Sequence, residues 1–245
     1  MPSNILCDNL MIGATIYSED TLTNFGFENA INASTALQVG FQSGANRDII
    51  IDFGISTTFD CIAIAKHNLW SSSSTIKVYS ASDVAGPFNL EHTLVLSSDN
   101  VHMQDMTQFS SSVVKLEIQF PASNCYAGNI SIGKSVQISD GQYIGFKQPN
   151  FSNKFEIDAN VTRGGEISGI IRKSTPIKTK IEGRHLTKAW MDSNWENLRD
   201  CISKYPFYFR WDDNEASIYC WAKKIDHSWS KINKLRFQID TEGFI

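Results

Sequence analysis

The stretch RDIIIDFGISTTFDCIAIA, residues 47–65, contains two short apolar runs that are separated by Gly, Ser and Thr. Runs of this length that are rich in Ile and bounded by turn-forming residues are typical of β-strands rather than of helices. The sequence therefore predicts one strand at Arg47–Phe53 and another at Asp60–Ala65, within a fold that is built from short strands.

The residues that follow show the same kind of pattern. Ile76 and Val78 alternate with Lys77 and Tyr79, which places apolar and polar side chains on opposite sides of a strand. Short strands at regular spacing, with almost no helical period, are typical of an antiparallel β-sandwich. Further strands are predicted at Thr75–Ala81, Glu91–Leu96, Val113–Phe120 and Gly128–Val136.

A turn signal at Ser139-Asp140-Gly141 divides the chain into two predicted domains, residues 1–138 and 139–245. The first carries five Lys or Arg against twelve Asp or Glu, a balance of −7, and the second carries seventeen against fourteen, a balance of +3. The difference indicates two domains with different surfaces. A nucleic-acid-binding surface needs clustered Lys and Arg on one face, and a balance of +3 is far too small to indicate one. No nucleic-acid partner is therefore expected.

The second half also has strand patterns, and it contains one helical pattern. Ser193 and Glu196 have the spacing of a capping box, in which each side chain bonds the backbone N–H of the other residue. Apolar residues then recur at helical spacing as far as Tyr205, and Pro206 ends the pattern. We therefore expect a helix at about residues 194–205, packed on the strands of a β-rich domain.

Several functional classes lack their sequence signatures. No apolar window approaches the roughly 18 residues that a membrane span needs, and the N-terminus has no signal-peptide pattern, so synthesis in a cytoplasm is expected. Five cysteines at irregular spacing predict free thiols and no metal site. The five histidines are scattered, and the sequence has neither a phosphate-binding Gly-rich loop nor a nucleophile elbow. We expect no cofactor and no enzymatic activity.

Between Gly26 and Tyr79 the sequence resembles the discoidin, or coagulation-factor type C, family of galactose-binding-like sandwiches. The residues that carry the resemblance are Glu28-Asn29-Ala30-Ile31, Phe41-Gln42-Ser43, residues 49–54, residues 59–65, His67-Asn68-Leu69 and residues 76–79. Asn32 stands where the family usually has Asp, and Phe41 stands where it usually has Trp. The expected fold class is mainly β, with an N-terminal discoidin-like jelly-roll β-sandwich followed by a smaller β-rich domain with one helix.

The layout of the whole chain is similar to that of tail-tip proteins of long-tailed bacteriophages, which join such a sandwich to a smaller β domain. This resemblance implies a structural protein of the virion, located at the tail tip and synthesised in the host cytoplasm. It also implies a repeated subunit that forms a ring or another symmetric homo-oligomer. The implied partners are other phage tail proteins, namely those of the tube, the hub and the fibres.

An alternative hypothesis is a module that recognises a cell-surface carbohydrate, such as a host surface glycan. Discoidin-type sandwiches can bind ligands through loops at one rim, and here those loops include residues 29–44 and 67–74. Trp70 offers an aromatic platform for a sugar ring, next to His67 and Asn68. The competing interpretation is that Trp70 caps the core or packs on a neighbouring subunit, and that His67 is a strand-end residue bonded to a loop.

Five of the six tryptophans lie in the second half of the chain. This is more aromatic surface than a domain of that size is expected to bury, and aromatic residues are enriched in protein interfaces. Core packing accounts for some of the five. We expect at least one of the others, Trp190 or Trp229, to contact another subunit.

Overall fold

The computed structural model describes residues 3–18, 21–119, 123–138, 142, 146–149, 155–161, 163–164, 166–174, 176–212, 217–231 and 234–245. These residues are mainly in β-strands, which form a sandwich, a second sheet and a separate hairpin, with one helix. The predicted fold class is confirmed.

The strands of the described residues are β1 (Ser3–Leu6), β2 (Thr15–Ser18), β3 (Val39–Phe41), β4 (Arg47–His67), β5 (Thr75–Ala81), β6 (Asn89–Leu94), β7 (His102–Gln119), β8 (Cys125–Gly133), β9 (Val136–Ile138), β10 (Phe155–Val161), β11 (Ile167–Ser174), β12 (Ile177–Thr187), β13 (Phe207–Arg210), β14 (Ser217–Lys231) and β15 (Lys234–Phe244). A short 3-10 helix lies at Phe27–Asn29. The helix between β12 and β13 comprises α1 (Lys188–Trp190), a π-helical segment (Met191–Trp195) and α2 (Glu196–Lys204).

The sandwich consists of the strands β3-β8-β4-β7-β5-β6 in that order, and β2 pairs with the first part of β4. The two strands predicted within residues 47–65 are one long strand, β4. Its pairing with β7 shifts register between Asp52 and Thr57, and Gly54 there has a φ of +70°, which favours glycine. The residues that suggested a break between two strands therefore form an irregularity inside one.

Both halves of β4 contribute to one hydrophobic core. Ile49 and Ile51 of the first half, and Ile62 and Ile64 of the second, are fully buried in the same cluster. The two halves of the sheet consequently face each other across this core, as the layers of a β-sandwich do.

A second sheet has the strand order β12-β15-β14-β13-β1-β9 among the described strands. The N-terminal strand β1 pairs with β13 on one side and with β9 on the other, so that Ile5 lies opposite both Phe209 and Val136. Membership of this sheet does not follow the predicted division at residue 138, because β1 and β9 both precede it. The division into domains of residues 1–138 and 139–245 stays a prediction.

The second sheet packs on the outer face of the sandwich. Five consecutive residues of β4, Cys61–Ala65, are fully buried, although alternate residues of a strand point to opposite faces. Ile62 and Ile64 belong to the sandwich core. The alternate, smaller residues belong to a cluster that joins the two sheets, formed by Cys61, Ala63, Ala65, Leu6, Val101, Met103, Tyr208 and Tyr219.

Polar contacts fix the position of the second sheet on the sandwich. The Arg210 guanidinium forms an ion pair with Asp105 of β7, and Asn4 Nδ2 donates to both Asp105 carboxylate oxygens at 3.0 Å. The Tyr208 hydroxyl donates to Asn129 Oδ1 at 2.7 Å. Because buried polar groups cost free energy when they are left unpaired, these bonds favour one arrangement of the two sheets over others.

The helix begins earlier than predicted. It starts at Lys188 instead of about residue 194, and Thr187 is its N-cap, with Oγ1 accepting from Trp190 N at 3.2 Å. Ser193 lies inside the π-helical segment, so the Ser193–Glu196 pattern is not an N-terminal capping box. The helix ends at Lys204, close to the predicted end, and Tyr205 is already extended before Pro206.

The position of this cap can be tested by mutation. Thr187→Ala removes the side-chain acceptor at the N-terminus of the helix and is expected to lower the free energy of unfolding by about 1 kcal/mol. Ser193→Ala is the matched control, and its effect should stay within about 0.5 kcal/mol, as for other surface changes. Urea unfolding of both variants measures the difference, and a larger loss for Ser193→Ala would support the capping box instead.

Candidate functional site

The turn between β4 and β5 has a closely bonded backbone. Ser72 N donates to Asn68 O at 3.0 Å, Ser73 N donates to Trp70 O at 2.9 Å, and Ser74 N donates to Leu69 O at 2.8 Å. Leu69 is fully buried in the sandwich core and anchors the turn from below. Because all three hydrogen bonds lie within residues 68–74, this turn has one defined conformation at the rim of the sandwich.

Trp70 lies at the exposed side of this turn. Its relative exposure is 53%, whereas its neighbour Leu69 is fully buried. A side chain that is more than half exposed does not cap the core of its own chain, so this part of the competing interpretation is wrong. The indole presents an apolar surface to solvent from a turn whose backbone is already fixed.

Asn68 holds the turn against β8. Its Oδ1 accepts from Tyr126 N at 2.6 Å, and its Nδ2 donates to Asn124 O at 3.3 Å. Its backbone carbonyl also accepts from Ser71 Oγ at 3.2 Å. The structure thus gives Asn68 a positioning role beneath Trp70, and its predicted ligand contact stays a prediction.

His67 is the last residue of β4, and both of its ring nitrogens are engaged within the chain. Nε2 lies 2.8 Å from Asn100 O, and Nδ1 accepts from Leu69 N at 3.3 Å. Nδ1 therefore carries no proton, and the neutral tautomer with hydrogen on Nε2 satisfies both contacts. These contacts favour a strand-end residue bonded to a loop, and the predicted ligand contact of His67 stays a prediction.

The pKa of His67 is lowered from the ordinary value of 6.5, chiefly because burial disfavours the charged ring. The hydrogen bond to Asn100 and the charge of Asp99, 3.8 Å from Nδ1, act in the opposite direction and only partly offset burial. His67 is therefore neutral in the folded protein around neutral pH.

A cleft of about 540 Å³ lies beside the turn. Its size falls in the range of roughly 300–1,000 Å³ that is usual for small-molecule sites. Its lining offers amide, ammonium, carboxylate and aromatic groups, from Gln38, Lys66, His67, Asn68, Asp99, Tyr126, Phe244 and Ile245. The cleft therefore has polar groups that could orient a ligand, and one of its walls is formed by residues of the second sheet.

Asp99 connects the cleft to the Trp70 turn. Its Oδ1 accepts from Ser71 N at 3.1 Å, so the same carboxylate lines the cleft and fixes the residue that follows Trp70. On the far side, Gln38 Nε2 donates to Lys66 O at 3.3 Å. Gln38 lies in one of the predicted rim loops, but nothing in the sequence near Asp99 or Phe244 indicates that they share a cleft with it.

The two tryptophans predicted at a subunit contact have different surroundings. Trp190 stacks on Phe237 with 5.9 Å between ring centroids, and its Nε1 donates to Gln137 O at 3.0 Å. Trp229 of β14 pairs with Leu235 of β15, and the side chain of Trp229 is outside the described part of the chain. A subunit contact at either residue stays a prediction.

Within the described residues, no group of three or more His, Cys, Asp or Glu side chains is arranged to hold a metal ion. The same part of the chain contains no helix that is long and apolar enough to span a membrane. The expectations of no metal, no cofactor and no enzymatic activity stay predictions.

No family model matches the chain, and the comparison with curated proteins found no match. Among solved structures, the chain is similar to a Ruminococcus gnavus GH29 fucosidase in complex with fucose, at 15% identity and a TM-score of 0.43. The match covers 53% of this chain and 27% of the fucosidase. This chain therefore spans about a quarter of the fucosidase's length.

Two further similar structures are smaller. The chain is similar to CBM32 of AlyQ, in complex with 4,5-unsaturated mannuronic acid, at 14% identity and a TM-score of 0.41, over 48% of this chain and 92% of that one. It is also similar to chitosan-binding module 2 of a Paenibacillus chitosanase/glucanase, at 7% identity and a TM-score of 0.43, over 51% and 100%. At TM-scores below 0.5, these similarities decide neither the family nor the ligand of this chain.

The buried state of His67 predicts how stability depends on pH. Because its pKa is lowered on folding, the unfolded chain takes up a proton first as the pH falls below about 6.5. The contribution of neutral His67 is fully present above that pH and is lost toward the lower, folded-state pKa. We expect the stability difference between the wild type and His67→Gln to shrink from pH 7.5 to pH 5, as measured by urea unfolding. A difference that grows over this interval would contradict the assignment.

Proposed function

We propose that the chain is a carbohydrate-binding protein whose site is the exposed face of Trp70 together with the adjoining cleft. The observation that carries the proposal is an indole with 53% exposure on a turn fixed by the Asn68, Leu69 and Asp99 contacts. Sugars present apolar C–H faces together with hydroxyl groups, so an aromatic platform next to polar side chains suits them. A site whose conformation is already fixed loses little entropy on binding.

The cleft supplies the polar part of this site. Gln38, Asn68 and Asp99 place amide and carboxylate groups on its walls, and Lys66 and Tyr126 add an ammonium group and a second ring. Polar side chains therefore predominate in the lining, beside the rings of Tyr126 and Phe244, which suits a ligand rich in hydroxyl groups. We assign the Trp70 face to stacking and the cleft walls to the hydroxyl groups of a neighbouring sugar.

The charge of the sandwich narrows the class of glycan. Residues 1–138 carry a formal balance of −7, so polyanionic glycans would meet long-range repulsion. Neutral glycans and amino sugars would not. We therefore propose a neutral or amino glycan as the ligand.

Substitution of Trp70 tests this proposal. About 80 Å² of exposed indole, covered by a sugar, would contribute about 2 kcal/mol at ~25 cal/mol per Å². Trp70→Ala should therefore weaken binding about thirtyfold, and Trp70→Phe should weaken it less. The measurement is a screen of the wild type on a glycan array, followed by calorimetry of the variants with the best ligand.

The matched control is Tyr205→Ala, which removes another exposed aromatic side chain, 48% exposed, from the residue that follows α2. It should leave the affinity unchanged. A wild type that binds no glycan on the array would sink the proposal, and so would a Trp70→Ala variant with full affinity.

A second candidate function is a repeated structural subunit of a virion tail tip, synthesised in the host cytoplasm. It is favoured by the hairpin of β10 and β11, which pair from Phe155 and Ser174 to Val161 and Ile167. Among the described strands, this hairpin pairs with no third strand. Isolated two-stranded hairpins are at best marginally stable in water, so a neighbouring copy is a natural partner for this one.

The register of the hairpin provides the test of assembly. Ile157 and Ala159 are paired with Arg172 and Ile170, and the intervening Asp158 is paired with Ile171. Ile157→Lys should disrupt assembly, because it replaces an apolar residue with a charged one, and Asp158→Lys, which replaces one charged residue with another, should disrupt it much less. Light scattering and electron microscopy of the full chain at high concentration measure the mass. This candidate function would be contradicted by a wild type that is monomeric in solution and is present as a single copy in assembled tails. Equal effects of the two substitutions on assembly would contradict it as well.

A further inference from the structure

Two thiols from opposite ends of the chain meet beside the second sheet. Cys7 follows directly after β1 and Cys201 lies in α2, and the two thiols are close enough for Cys201 to raise the pKa of Cys7. Cys7 packs against the cluster that contains Leu198 and Ile202, the residues of α2 that flank Cys201 on its buried side. Cys7 also shares a small cavity with Tyr205, whose N–H bonds the Cys201 carbonyl.

These two thiols differ from the other cysteines in their access to solvent. Cys61, Cys125 and Cys220 are fully buried, whereas Cys7 and Cys201 are both partly exposed. All five are free thiols in this structure. Cys7 and Cys201 thus combine mutual contact with access to a soluble oxidant.

We propose that Cys7 and Cys201 form a reversible disulfide that fastens strand β1 to helix α2. The bond is a modification of the scaffold and is separate from the proposed glycan site. In the reducing environment of a cytosol, both thiols remain reduced, and in oxidising surroundings the bond forms.

A peroxide is a sufficient oxidant, and the reaction balances. The thiolate of one of the two cysteines attacks one peroxide oxygen, which gives a sulfenic acid and releases one water after proton transfer. The sulfur of the other cysteine then attacks the sulfenic sulfur, the S–S bond forms, and a second water leaves. Two thiols and one hydrogen peroxide therefore give one disulfide and two waters, with two electrons passing from sulfur to oxygen.

The surroundings of Cys7 disfavour its thiolate. The neighbouring Cys201 thiol and the burial of Cys7 both raise the pKa of Cys7 well above the usual range. Because the thiolate is the reactive species, Cys7 ionises reluctantly. Cys7 therefore reacts slowly with peroxide in its reduced, protonated form.

The bond would act on the strand that joins the two sheets. β1 lies between β13 and β9, and Asn4 within it bonds Asp105 of the sandwich. A covalent link from the residue after β1 to the helix would keep this strand in place. The link would also close a loop over most of the chain, and long loops restrict the unfolded ensemble the most.

Mass spectrometry of the full chain tests the proposal. Treatment with hydrogen peroxide should lower the mass by about 2 Da, and digestion without reductant should give one crosslinked peptide pair that contains Cys7 and Cys201. The melting temperature should rise by about 5 °C or more, and dithiothreitol should reverse both changes. The Cys201→Ser variant should show neither change.

The Cys220→Ala variant is the control, because it keeps both proposed partners and should respond as the wild type does. A peroxide-treated wild type whose Cys7 and Cys201 are both still alkylated after denaturation would overturn the proposal. Crosslinking only between separate chains, or a crosslink that leaves the melting temperature unchanged, would overturn it as well.

Discussion

The burial of β4 on both faces is the constraint on which the rest of the structure depends. Residues 62 and 64 fill the sandwich core, while the small side chains of Cys61, Ala63 and Ala65 let the second sheet pack on the opposite face. Larger residues at these three positions would hold the two sheets apart. The same strand ends at His67, where the turn that carries Trp70 begins, so the packing of the scaffold also determines the position of the proposed site.

The contacts of β1 explain why the two sheets form one structure. Its four residues are buried, it pairs along both edges within the second sheet, and its Asn4 reaches the Asp105 carboxylate of the sandwich. The Arg210–Asp105 ion pair lies at the same place. The proposed glycan site at the sandwich rim and the hairpin at residues 155–174 use other parts of the chain, so the two proposed functions, carbohydrate binding and assembly into a larger particle, are compatible.

Local patterns in the sequence predicted the local structure well and the long-range structure less well. Alternating residues such as those of β5 gave the strands, but the turn-like residues around Gly54 suggested two strands where an irregular strand continues. The Ser193 and Glu196 spacing suggested a helix start that Thr187 in fact provides. The pairing of β1 with β13 joins residues about two hundred positions apart, and no local pattern indicates such a contact.

The site was predictable to a similar extent. The resemblance to discoidin-like sandwiches indicated residues 67–74, but only the three-dimensional structure distinguishes an exposed Trp70 from a buried one and shows that both ring nitrogens of His67 form contacts within the chain. Asp99 and Phe244 line the cleft because the fold brings them there, and no local sequence pattern indicates it.

The most direct test of the proposed carbohydrate site is an NMR titration of the full chain with neutral and amino oligosaccharides. Amide shift changes should be concentrated at residues 67–74 and around Gln38 and Asp99, and changes confined to the second sheet or the hairpin would contradict a carbohydrate site at Trp70.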